Sequence, residues 1–169
     1  MGTLFDTDVL RQASSPMPEE DFLRGVEELV AHKILLETSR KLDLEFAHDL
    51  LRELVYQELS AARCRFLHQR VGEVLENLRN RGGHCPLEWL AYHFSRAGVN
   101  DKAFQYLLEA GAAALRAYAV DNSVRHLNEA LELASEAIRP EQRYRLNDLL
   151  GSAYSAAWAP EKAIPSGFR

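Results

Sequence analysis

The side chains best suited to chemistry are few and lie far apart in the chain. Cys64 and Cys85 are the two thiols, and neither falls in a metal-ligand spacing. His84-Cys85 together with His93 offers three possible donors. Pro86 separates the pair from the segment carrying His93, however, and no fourth ligand follows. The acidic pairs Glu19-Glu20 and Glu27-Glu28 could serve acid–base chemistry only in a cleft, and they fall on the outside of an expected helix as solvated faces. No Gly-x4-Gly-Lys-Ser/Thr motif is present, so nothing in the sequence cradles phosphates or orders magnesium. No apolar strand ends in paired acids that could hold such a metal. Gly82-Gly83 reads as a helix terminator and not as a phosphate loop. The sequence therefore predicts no catalytic site, no metal site and no cofactor of its own.

The 169 residues suffice for one ordinary domain or two small ones. Apolar residues make up 47%, which suits a packed core and argues against disorder. No stretch approaches the roughly 18 uncharged apolar residues of a membrane span. The longest candidate, Gly111 to Val120, is short and is broken by Arg116. No basic segment with a following apolar run marks a secretory signal. Two cysteines give no disulfide framework, so the expected location is the cytoplasm, with reduced thiols. Residues 1–80 carry 10 Lys/Arg against 15 Asp/Glu and hold the whole excess of the −5 net charge, while residues 81–169 carry 10 of each. Neither half looks built to meet a phosphate backbone.

The periodicity predicts a mainly α-helical chain. Leu4, Phe5, Val9 and Leu10 suggest a short helix over Thr3–Ala13, broken by Ser14-Ser15-Pro16-Met17-Pro18. Pro18 is placed at a first helical position, with Glu19, Glu20 and Asp21 after it, for a helix to about His32. Ile34–Thr38 and Leu42–Phe46 predict a β-hairpin around Ser39-Arg40-Lys41, because the second segment alternates apolar and polar residues. Helices are then expected around Leu50–Leu59 and Leu67–Leu78. A third follows from Pro86 to Gly98, a fourth capped by Asn100-Asp101, a fifth capped by Asp121-Asn122 and a sixth from Pro140. Short turns between helices of similar length imply antiparallel hairpins.

Leu87-x2-Leu90-Ala91-x2-Phe94, followed by Ala103-x3-Leu107-x2-Ala110, resembles the tetratricopeptide repeat. Leu150-Gly151-x2-Tyr154 with Ala163 is similar to a second repeat, and Gly111, Ser123, Leu127 and Ala130 to a shortened third. A generic α-hairpin array would share these small residues through packing need. Either way, each hairpin buries one face on its neighbour and leaves a concave surface free.

Phe46-Ala47-His48-Asp49-Leu50-Leu51-Arg52-Glu53-Leu54-Val55-Tyr56, then Arg63-x-Arg65-x2-His68 and Val74-Leu75-Glu76, resembles a junction in large bacterial signal-transduction (STAND/AAA-type) ATPases. Such proteins include LuxR-type ATP-binding transcriptional regulators and ATPase–nucleotide cyclase fusions. In them a winged-helix domain follows the nucleotide-binding domain and leads into tetratricopeptide repeats. Gly2-x2-Phe5-x4-Leu10 is similar to the start of that winged helix. The resemblance implies a nucleotide-sensing role for His48 and Asp49, which match a Met-His-Asp motif of related ATPases with Ala47 in place of the methionine. An imidazole at a helix N-terminus can donate to a phosphate oxygen and report its loss. The other reading of His48 is that it simply caps or packs where the hairpin meets the helix. The remaining motif residues, Phe46, Tyr56, His68, Leu90, Phe94, Ala103, Ala110, Leu150, Gly151 and Tyr154, take structural roles.

The expected organisation is a winged-helix-like domain at 1–60, a connecting helix and linker at 61–85, tetratricopeptide-like repeats at 86–165 and a tail at 166–169. The implied function is a non-catalytic regulatory and protein-interaction module, a fragment of an ATPase that couples nucleotide state to partner binding. ATP or ADP would then act only in the full-length parent. The implied partners are proteins: the missing ATPase domain, a downstream domain, or a second copy through the Pro140–Ala157 helix. That helix is expected to lack a full neighbour for Leu149, Leu150, Ala153 and Tyr154. The alternatives are a DNA-binding winged-helix transcriptional regulator and a stand-alone tetratricopeptide adaptor. The first is opposed by Glu19, Glu20, Asp21, Glu27 and Glu28, against Arg24 alone, on the presumptive recognition helix. The second would need residues 3–46 to be only a cap.

Overall fold

Asp6 sets the start of the first helix. Its carboxylate accepts from the backbone N–H groups of Asp8 at 2.7 Å and Val9 at 3.2 Å. Helix α1 accordingly runs Thr7–Ser14, and Leu4–Asp6 ahead of it is a strand, β1. This corrects the expected helix over Thr3–Ala13. Leu4, Phe5, Val9 and Leu10 suit either period locally, and a strand partner far along the chain decides for β1. The computed structural model describes residues 4–38, 43–134 and 138–158. The described residues are mainly helical, with one small antiparallel sheet.

The chain divides into two compact units, Met1–Cys85 and Pro86–Arg169. In the first, α2 (Glu19–Ala31) follows α1, with Pro18 at its N-cap and not inside its first turn. Phe22 is its buried residue. Beyond its C-cap, His32, Lys33 takes a left-handed conformation (φ 55°) without being glycine. Strands β2 (Leu35–Glu37) and β3 (Asp43–Phe46) pair antiparallel, with Leu36 opposite Glu45. The expected Ser39-Arg40-Lys41 turn lies outside the described residues. Strand β1 pairs with the other edge of β3, so the order is β1-β3-β2. The central strand buries Leu44 and the edge strand buries Leu35, as the two-residue period requires. Helices α3 (Asp49–Glu58) and α4 (Ala61–Asn80) complete the unit.

Helix α4 begins earlier than its apolar spacing indicates, because Ser60 Oγ accepts from Arg63 N at 3.2 Å. It stops at Gly82 (φ 83°), as the sequence predicts. Arg70 reaches from α4 to the end of α1. Its Nη2 donates to the Ser15 carbonyl, and its Nε donates to the Ala13 carbonyl at 3.5 Å. Those contacts satisfy carbonyls that the helix end leaves open.

The second unit contains α5 (Leu87–Ala97), α6 (Asn100–Arg116), α7 (Val120–Leu133) and α8 (Pro140–Trp158). Consecutive helices pack on one another. Their shared core joins Ala91, Phe104, Leu107, Leu108, Leu127, Ala130, Leu146, Leu150 and Ala153. Two expected caps shift. The N-cap of α6 is Val99 and that of α7 is Ala119, neither with a side-chain cap bond, so Asn100-Asp101 and Asp121-Asn122 lie within first turns. The acids Asp101 and Asp121 still lie where a helix N-terminus favours negative charge. Tyr118, left-handed at φ 58°, turns the chain directly from α6 into α7.

Helix α8 corrects a further expectation. Leu150 and Ala153 do not lack a neighbour: with Leu146 they are buried in the shared core, and α8 packs on α7. Leu149 is partly buried against the same core. Tyr154 is half-exposed, and its hydroxyl donates to Asn128 Oδ1 of α7 at 3.0 Å.

Candidate functional site

The junction from β3 into α3 carries the residues to which the resemblance gives a sensing role. Ala47 N donates to the Ile34 carbonyl at 2.9 Å and closes the sheet. The next residue, His48, is extended (φ −143°, ψ 132°) and is the N-cap of α3. Its carbonyl accepts from Leu51 N at 3.0 Å and opens the helix. Its imidazole makes no cap hydrogen bond and is exposed. Asp49, also exposed, pairs with Arg52 at 3.8 Å. His48 thus caps through its backbone alone, and its ring is left on the surface.

The other end of α3 is better fixed. Tyr56 Oη lies 3.1 Å from His68 Nε2, and the two rings meet edge to face at 6.1 Å between centroids. His68 is buried on α4. The motif residues Tyr56 and His68 are therefore brought together across the turn at Leu59-Ser60. His48 is not part of that pair. It precedes Tyr56 by eight residues, about 12 Å along a helix axis.

Between these ends α3, like α1, has no fully buried residue, and Leu51 is only partly buried. Leu50 is 66% exposed, Leu54 50% and Val55 51%. Leu50 and Leu54 are four residues apart, as are Leu51 and Val55, so the apolar side chains form one wide stripe. Asp49, Glu53 and Glu58 share the helix with a single cation, Arg52.

The repeat-like residues of the second unit serve packing. Leu90, Phe94, Ala103 and Ala110 are buried. Phe94 stacks on Tyr106 at 5.8 Å, with Lys102 Nζ 4.7 Å from its ring centroid. Gly111 lies directly against Leu127, and Ser123 Oγ donates to the Gly111 carbonyl at 2.8 Å. Gly151 has open space where a Cβ would stand. Ala163 lies outside the described residues.

Among the described residues no group of three or more His, Cys, Asp or Glu is placed to hold a metal. Burial pushes the Cys85 thiol above its ordinary range, partly offset by Arg79, so it is protonated at neutral pH and a poor nucleophile. A depression of about 410 Å³, lined by Arg11, Glu19, Arg70, Glu73 and Val74 among others, contains neither His48 nor Asp49. Arg70 there is already held by carbonyls.

Sequence reasoning missed His126. It is 2% exposed on α7, with Nε2 3.3 Å from Arg125 Nη2 and 3.6 Å from Glu88 Oε1 of α5. The signal was present, because Ser123, His126, Leu127 and Ala130 form one helical face. Comparison with known proteins gives no matching family model, no matching curated protein and no matching solved structure.

Proposed function

We propose that the chain is a non-catalytic regulatory module that works by binding protein through the apolar stripe on α3. The single observation that carries this reading is the exposure of Leu50, Leu54 and Val55 on a helix with no fully buried residue. Contiguous exposed apolar side chains of this size mark interaction surfaces. The first unit is a winged-helix-like unit in this reading, with α2 before a β2–β3 wing. What supports it is the order β1-α1-α2-β2-β3 with β3 central in the sheet. The second unit is a tetratricopeptide-like array, supported by its stacked helices and by the buried small residues Ala91, Ala103, Ala110 and Ala130. In line with the sequence resemblance, the module belongs to a signal-transduction ATPase and couples nucleotide state to partner binding. His48 and Asp49 face the nucleotide-binding partner, and the isolated chain needs no cofactor.

A hydrophobic dye tests the stripe. Wild-type protein is expected to enhance the fluorescence of such a dye strongly. Leu50→Gln/Leu54→Gln should lose most of that signal while keeping its helical circular dichroism. Equal dye binding by the two proteins would refute the reading.

The same sheet order also suits a DNA-binding winged helix. Helix α2 opposes it, with Glu19, Glu20, Asp21, Glu27 and Glu28 against Arg24, which is already paired to Asp21 at 2.8 Å. A helix of that charge repels phosphates and releases no counterions. Micromolar protein is expected to leave duplex DNA unshifted on a low-salt gel. Retarded DNA whose retardation fades steeply with added salt would favour the DNA-binding reading.

A further inference from the structure

We propose that His126 is an acid-sensitive joint in the second unit, and that protonation of its buried ring loosens α7 from its neighbours. Helix α7 lies between α6 and α8 in the stack, so what weakens it weakens the whole array. His126 stands on the face of α7 that also buries Ser123, Leu127 and Ala130. Its Nδ1 is buried and has no hydrogen-bond partner among the described residues.

The neighbours of the ring favour its neutral form. A guanidinium can only donate, so the Arg125 Nη2 contact at 3.3 Å needs a lone pair on Nε2. That requirement puts the proton of the neutral ring on Nδ1. A second proton would have to go to Nε2, and the Arg125 contact would become cation against cation. Glu88 of α5, 3.6 Å from Nε2 and about half-exposed, would offset part of this. Glu129 of α7 attracts the same proton, but it also pairs with Arg125 at 3.1 Å and holds that cation beside the ring. Among the described residues no charge on α6 or α8 enters this balance. Burial is the largest influence, and with Arg125 it holds the imidazole below its ordinary range against the opposite pull of Glu88 and Glu129.

The direction of the pH effect follows. The unfolded chain takes its proton near the ordinary histidine value of about 6.5, and the folded chain takes it lower. Between those values the unfolded state binds more protons, so acidification favours it. The stability contributed by neutral His126 is complete above about pH 6.5. It is lost as pH falls through the folded value.

The test is thermal unfolding of the full chain by circular dichroism between about pH 7.5 and pH 5, a range in which ordinary carboxylates stay ionised. Wild-type protein is expected to lose on the order of 5 °C of melting temperature across it. His126→Gln should flatten that slope, and an unchanged slope would overturn the proposal. Should His126→Gln fail to fold, Glu88→Gln decides. Removing the half-exposed counter-charge should deepen the acid loss, and a profile identical to wild type would overturn the proposal. Hydrogen exchange, corrected for its intrinsic pH dependence, supplies a local readout. Protection should fall in α7, and loss confined to the first unit would count against the joint.

Discussion

Phe94→Ala is expected to lower the melting temperature of the second unit by on the order of 20 °C. Phe94 is 1% exposed and stacks on Tyr106, and the Lys102 ammonium lies over its ring. Truncation removes the transfer energy of the ring and leaves a cavity that flanking helices can close only in part. Such changes cost about 3–5 kcal/mol, and the loss of the ring's contacts to Tyr106 and Lys102 argues for the upper part of that range. A small unit has only about 5–15 kcal/mol to lose. Calorimetry should show the second unit melting early. A shift below a few degrees would mean that Phe94 is packed far more loosely than its burial indicates.

Gly111→Val and Gly151→Ala should act in opposite directions, though both glycines lie inside helices. A Cβ on Gly111 would stand 2.6 Å from Leu127 Cγ and 2.7 Å from its Cδ2. Leu127 is fully buried, so its branch point cannot move aside without shifting α7. Overpacking of that kind costs about 1–3 kcal/mol, and valine's second methyl places the expected loss near the top. Pushing α6 from α7 would also strain the Ser123 bond to the Gly111 carbonyl. At Gly151 a Cβ meets nothing within 4 Å, so alanine should stabilise by about 0.5–1 kcal/mol through helix propensity. Chemical denaturation of the two variants reads both signs. Stabilisation by Gly111→Val would contradict the close approach of α6 and α7.

These two glycines show what the sequence could and could not convey. Helical spacing located α2 to α8, because each carries a continuous run of apolar residues at helical spacing, and the alternation Leu42-Asp43-Leu44-Glu45-Phe46 located β3. Strand β1 was illegible, since its three residues are short and their partner is β3, far along the chain. The starts of α6 and α7 were misplaced because Asn100-Asp101 and Asp121-Asn122 have cap chemistry, while the helices begin after left-handed Gly98 and Tyr118. Nothing about a tyrosine announces that conformation. The Tyr56–His68 pair could be listed as two motif residues, but their contact depends on how α3 turns into α4. The contact of Arg70 with carbonyls more than fifty residues earlier leaves no local trace.

An apolar surface on α3 through which the chain binds protein, as proposed above, should also be available to a second copy. The most direct measurement is the molar mass of the full chain by light scattering over a wide concentration range, for wild type and for Leu50→Gln/Leu54→Gln. With no other protein present, a second copy is the available cover for the stripe. Wild-type mass is expected to rise with concentration, and the double variant to stay at the mass of one chain. A wild-type protein that remains strictly monomeric throughout and binds no hydrophobic dye would contradict the proposed α3 surface.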